Sequence, residues 1–170
     1  MTLENGQILT PKPKGLAMKI KGLIFEDFVN YKKVSMTIMF PHCTFKCGAE
    51  YCQNSPLTKS KTYDIDIDET IEKYLNNPIT EAVVMQGLEP FDSWSDLLLF
   101  IDKFREKSQD DICIYTGYYK EEITDRIDIL KRYDNIVIKY GRYIPGHEKH
   151  YDEVLCVELA SPNQYAEVIS

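Results

Sequence analysis

Residues 34–52 read Val34-Ser35-Met36-Thr37-Ile38-Met39-Phe40-Pro41-His42-Cys43-Thr44-Phe45-Lys46-Cys47-Gly48-Ala49-Glu50-Tyr51-Cys52, an apolar run followed by three cysteines within ten residues. The run to Phe40 predicts a buried strand, which puts the thiols in the loop at its carboxyl end. In parallel α/β proteins that end of the sheet is where chemistry is built. Three thiolates fall one short of the four ligands of a closed zinc site, and they suit a cubane iron-sulfur cluster with one iron left open. Two other readings stand beside it: a Cys3His zinc knot with His42 as the fourth arm, and thiols that are merely packed.

Outward from this loop the chain alternates strand and helix patterns. Tyr63-Asp64-Ile65-Asp66-Ile67-Asp68-Glu69 has the carboxylate alternation of a calcium loop. Glu69 stands where such a loop needs glycine, and Leu75 where it needs an acid, so the segment reads as an edge running into a helix. Asp66 is the expected N-cap, Glu69 its capping-box partner, and Pro78 the stop. A second strand over 81–85 ends in Gln86-Gly87-Leu88-Glu89-Pro90, and a helix follows Ser93 with Trp94, Leu97, Leu98, Ile101 and Phe104 on one face. A third strand over 111–115 leads to a helix over about 120–133, and a fourth over 135–140 ends in Gly141-Arg142-Tyr143. A fifth strand is predicted over 153–157. Cys113 and Cys156, inside these apolar runs, are expected to be inert buried thiols. Residues 16–28 suggest a strand or irregular hairpin, and residues 1–15, with two prolines and two glycines, a loose arm.

Alternating strands and helices of this length mean βα units and a parallel sheet, and a chain of 170 residues can complete only part of an eight-fold barrel. The formal charge of −7 and pI near 5.0 argue against a generic nucleic-acid or membrane-surface protein. No signal peptide and no long apolar span is evident, which makes a soluble, cytoplasmic protein the expectation. An odd number of cysteines with three bunched is not a secreted disulfide framework.

Five turns in order carry a family resemblance: the cysteine loop, Gly87-Leu88-Glu89-Pro90, Tyr115-Thr116-Gly117-Tyr118, Gly141-Arg142-Tyr143 and Ser161-Pro162-Asn163-Gln164. Together they resemble the small radical S-adenosylmethionine activases, above all the activating proteins of anaerobic (class III) ribonucleotide reductase. In that family the second gap between cysteines holds two residues, and here it holds the four of Gly48 to Tyr51. The family's usual Gly-Gly-Glu-Pro turn has Leu88 at its second position here.

The resemblance implies a single-domain partial (open) βα barrel of the small radical SAM type over residues 16–170. It implies that Cys43, Cys47 and Cys52 ligate three irons of a [4Fe-4S] cluster, and that S-adenosylmethionine chelates the fourth. Gln86, Gly87, Leu88 and Glu89 would line the methionine end. Tyr51, Tyr115 and Thr116 would lie near adenine and ribose, with Lys139 on the ribose or carboxylate. The implied activity is reductive cleavage of S-adenosylmethionine to place a glycyl radical on the reductase. The implied partners are that glycyl radical enzyme and an electron donor such as a flavodoxin, with no nucleic acid and no membrane. Another small radical S-adenosylmethionine enzyme, of the deazapurine-synthase kind, and a non-enzymatic zinc-binding module are the alternatives.

Overall fold

The structure is a computed structural model that describes residues 3–4, 7–8, 14–46, 48, 50 and 52–170. In chain order the elements are β1 (Leu3–Glu4), β2 (Gln7–Ile8), β3 (Ala17–Ile20), β4 (Gly22–Asp27), β5 (Ser35–Phe40), β6 (Tyr63–Asp66), α1 (Ile67–Leu75), β7 (Ala82–Gly87), α2 (Trp94–Arg105), β8 (Asp111–Tyr115), α3 (Thr124–Leu130), β9 (Ile136–Tyr140), β10 (His150–Asp152), β11 (Val157–Leu159) and β12 (Tyr165–Val168). Six strands share one sheet in the order β12-β9-β8-β7-β5-β4. Its centre, β5, β7, β8 and β9, is parallel, while β4 and β12 close the two edges antiparallel.

Strand alternation divides the sheet into two unequal faces. Met36, Ile38 and Phe40 of β5, Val83 and Met85 of β7, Ile112 and Ile114 of β8, and Ile136, Ile138 and Tyr140 of β9 face the helices. There they meet Ile67, Ile71 and Tyr74 of α1, Leu97, Phe100, Ile101 and Phe104 of α2, and Ile127 and Leu130 of α3. Each of these side chains contributes about 1.5–3 kcal/mol by leaving water. The opposite face has only a small cluster, in which Ala82, Val84, Cys113 and Val137 pack against Tyr31, Leu155 and Leu159. That lighter cover leaves the carboxyl ends of the strands open to a ligand.

Local signals explain the helix ends. Asp66 Oδ1 accepts from the Glu69 N–H at 3.1 Å and caps α1, but Glu69 pairs with Lys73 at 2.8 Å rather than completing the capping box. Trp94 stacks on Phe91 at 5.7 Å, as a core anchor does.

Two further expectations fail. The fifth strand is absent: residues 153–156 form the turn between β10 and β11, because Asp152 Oδ1 accepts from the Leu155 N–H at 2.9 Å and its carbonyl accepts from the Cys156 N–H at 2.8 Å. Cys156 is accordingly exposed, with φ at 58°, whereas Cys113 is fully buried and burial pushes its thiol well above the ordinary range. Of the two readings of residues 16–28 the strand holds, as β3 and β4, and the two do not pair as a hairpin, since β3 pairs with β6 and β4 with β5. The arm expected over 1–15 falls mostly outside the described residues, and within it β1 pairs antiparallel with β2. No helix among the described residues is long and apolar enough to cross a membrane.

Gly87 fixes where the sheet opens. Its φ is +102°, and a Cβ there would lie 2.7 Å from the amide nitrogen of Phe40 and 2.8 Å from Cα of Met39. The space glycine leaves is therefore taken by the neighbouring strand. Gly87→Ala is expected to lower the unfolding free energy of the cofactor-free protein by about 2–4 kcal/mol through left-handed strain and overpacking, read as a fall in the urea midpoint.

Candidate functional site

The floor of the site follows from register. Met39 pairs with Gln86, Phe40 with Gly87, and Tyr115 with Lys139, so the carboxyl ends of the four parallel strands stand level. Gln86, Tyr115 and Lys139 alternate with helix-facing residues and line a cleft of about 700 Å³. Cys43 and Cys52 stand in its wall together with Gly87, Leu88, Glu89 and Thr116. The structure thus brings nine of the sequence-derived site residues to one cavity; the other two, Cys47 and Tyr51, lie outside the described residues.

The cysteine loop is folded by its own backbone and tied to the sheet. Phe45 takes a left-handed conformation, φ 52°, and its carbonyl accepts from the Gly48 N–H at 2.9 Å. The Cys52 N–H donates to the Gly48 carbonyl at 3.1 Å. The Phe45 N–H also donates to Cys43 Sγ at 3.2 Å. Below the loop, the Glu89 N–H donates to the His42 carbonyl at 2.7 Å, and Asn54 Nδ2 donates to the Gly87 carbonyl at 2.9 Å. Both ends of the loop are therefore fastened to the Gly-Leu-Glu-Pro turn.

Glu89 is a brace between turns. Its Oε1 accepts from the Phe91 N–H at 3.1 Å and from Thr116 Oγ1 at 2.8 Å, and its Oε2 from the Gly117 N–H at 2.8 Å. Burial lifts the carboxyl to about 7, against the pull of these three donors. Most of its accepting capacity is already used inside the protein. Tyr115 is also tied, its hydroxyl donating to the Asn30 carbonyl, which holds segment 28–31 across the open face.

Lys139 differs. Its ammonium donates to the Gly141 carbonyl at 3.2 Å and lies 5.8 Å from the centre of the Tyr115 ring, and it forms no ion pair among the described residues. Desolvation lowers it to about 8, with Glu89 opposing the shift. A desolvated cation open to a cleft is a site for an anionic group.

Sequence reading missed the residues that hold the loop. Asp92 Oδ2 accepts from the Thr44 N–H at 2.8 Å, next to Cys43, and its Oδ1 accepts from Tyr118 Oη at 2.6 Å. Lys46 lies 4.6 Å from the centre of the Tyr118 ring and 3.6 Å from Glu122. The one available signal was the acid three residues after Glu89, and an acid in a helix's first turn is ordinary. The Ser161-Pro162-Asn163-Gln164 turn is a buttress: Asn163 Nδ2 donates to the Arg142 carbonyl at 2.7 Å, and Gln164 Nε2 to that of Gly141 at 3.2 Å. A Cβ on Gly141 would sit 2.8 Å from the Asn163 carbonyl oxygen, so glycine is what lets the two turns meet.

The donor set suits an iron-sulfur cluster. The two described cysteines of the loop are soft ligands, half-buried in the wall of one cleft, and the Sγ of Cys43 accepts an N–H.

The protein-family model described as a 4Fe-4S single cluster domain matches residues 29–160. The match supports an iron-sulfur cofactor over the zinc knot. Neither the curated proteins nor the solved structures include a match to this chain.

Two outcomes follow from the electrostatics and the loop anchors. The lowered Lys139 destabilises the fold while both folded and unfolded forms are protonated, and the penalty lifts as pH rises from about 8 to 10.5. Lys139→Met is expected to stabilise the cofactor-free protein at pH 7 by up to about 3 kcal/mol and to remove that rise, read from thermal melts across the range. Asp92→Ala is expected to speed amide exchange at Thr44 about tenfold or more while leaving the β7 and β8 amides unchanged, as measured by hydrogen exchange.

Proposed function

The chain belongs to the 4Fe-4S single cluster domain family, and from that membership we propose that it is a radical S-adenosylmethionine activase working on a glycyl radical enzyme, the anaerobic ribonucleoside-triphosphate reductase, in the cytoplasm. The observation that carries this reading is convergence: two of the three loop cysteines, the Gly-Leu-Glu-Pro turn, Tyr115, Thr116 and Lys139 share one cleft. On the same reading, the parallel strands β5, β7, β8 and β9 with all three helices on one face are part of an open βα barrel.

Cys43, Cys47 and Cys52 would hold the [4Fe-4S] cluster. When bound, it supplies the low-potential electron that splits the S–C bond of S-adenosylmethionine. The chain's own residues orient the cosubstrate. Lys139 offers its ammonium to the carboxylate or the ribose hydroxyls. The Gln86–Glu89 turn shapes the methionine end, where Leu88 adds apolar surface beside the backbone. Glu89 acts through the backbone it fixes, because its oxygens already accept three hydrogen bonds. Tyr115 and Thr116 border the nucleoside. No acid or base is needed, so positioning and exclusion of water are the protein's tasks. The open side of the sheet admits a polypeptide loop carrying the target glycine.

Anaerobically reconstituted protein with reductant, S-adenosylmethionine and the reductase is expected to release 5′-deoxyadenosine and to give a glycine-centred paramagnetic doublet on the reductase. Cys52→Ala should abolish both together with the visible absorption that dithionite bleaches. Unchanged cluster content and turnover in that variant sinks the reading. Turnover of a small molecule with no doublet would move the protein to another radical class.

A further inference from the structure

We propose that Lys21, Lys59 and Lys61 form the docking surface for an acidic one-electron carrier protein, an inference that rests on the iron-sulfur reading above. Topology brings the three together. Ile20 at the end of β3 pairs with Tyr63 at the start of β6, so Lys21 leaves its strand beside the segment that enters the other. Lys21 Nζ donates to the Thr58 carbonyl at 3.2 Å and the Ser60 carbonyl at 2.6 Å, which sets it between Lys59 and Lys61. The contacts are to neutral oxygens and leave its charge in place.

Of the acids on β6, Asp64 pairs with Lys19 at 2.9 Å, and Asp66, which keeps its charge because its partners are the N–H groups of Lys14, Gly15 and Glu69, stands at the far end of the strand from Tyr63 and Lys61. Among the described residues none of Lys21, Lys59 and Lys61 has an ion-pair partner, and Lys59 and Lys61 are exposed. Three lysines grouped without an ion-pair partner among the described residues, on a chain of net charge −7, orient an acidic partner toward one spot while the rest of the surface repels it.

That spot adjoins the cysteine loop. The Ser55 N–H donates to the Cys52 carbonyl at 3.1 Å and opens the short 3-10 helix Ser55–Lys59. The patch therefore follows the last cysteine across one turn and this short helix. None of the three lysines lines the cleft. In the transfer this surface serves, the reduced carrier loses one electron and the cysteine-held cluster gains it, with no bond made or broken.

The test titrates oxidised flavodoxin into the cluster-loaded protein by calorimetry at about 0.05 M and about 0.5 M salt, where screening lengths differ several-fold. K59E/K61E is expected to weaken binding about tenfold at low salt and to lose most of the salt dependence. Dithionite, which needs no docking surface, should still bleach the variant's cluster at the wild-type rate. The same two-charge reversal at the exposed Lys107 and Lys131 should change affinity less than about twofold. Equal affinity of K59E/K61E and the wild type, equal losses from both double variants, or no binding by the wild type overturns the docking assignment with the cluster intact. A protein that takes up no cluster overturns the iron-sulfur reading instead.

Discussion

The buried carboxylate of Glu89 joins two turns that the backbone alone would leave separate. It accepts from Phe91 in its own turn and from Thr116 and Gly117 after β8, while its N–H holds the His42 carbonyl at the root of the cysteine loop. Three strand ends are thereby locked to one residue. Removing the side chain would leave three donors without partners in a buried place, which is more damaging than the loss of three surface hydrogen bonds. The same residue is drawn two ways, since burial favours its neutral form and the donors favour its charge.

Asymmetry between the faces of the sheet is what makes a cleft possible. The helix side is filled by large aliphatic and aromatic side chains and supplies most of the stability. On the other side, polar and amphipathic residues at alternate positions, Gln86, Tyr115 and Lys139, take the places nearest the strand ends. Segment 28–31 roofs part of that face and is held by Asp27. Burial raises the Asp27 carboxyl, but hydrogen bonds from Thr37, Asn30 and Val29 outweigh it and bring it below the ordinary range. The stable face and the binding face are thus separate, and Lys139 can remain poorly solvated without collapse of the fold.

The turns that carry the family resemblance do distinct physical work. Gly87 and Gly141 admit a neighbouring backbone where a Cβ would collide, and Asn163 and Gln164 hold the fourth turn from behind. The cysteine loop depends on Gly87 and Glu89 below it and on Asp92 beside it. The motifs form one connected scaffold in which only some members face the cleft.

Much of this was legible in the residue order. Strands β5, β7, β8 and β9 and both ends of α1 announce themselves through apolar runs, an N-cap aspartate and Pro78, all of them local effects. The cysteine spacing pointed to the iron-sulfur domain that the family model matches, and the order of the turns to residues that line one cleft, because ligand chemistry is written in residue type. Local signals failed where a contact distant in sequence decided the outcome. Leu155 is buried in a turn instead of a strand because Asp152 captures its N–H, and β12 exists because β9 has an edge to pair with. The part played by Asp92, the internal commitment of the Glu89 oxygens and the desolvation of Lys139 are properties of three-dimensional neighbourhood. A side chain's partners are chosen by whatever the fold brings within about 3 Å of it, and sequence spacing does not contain that distance.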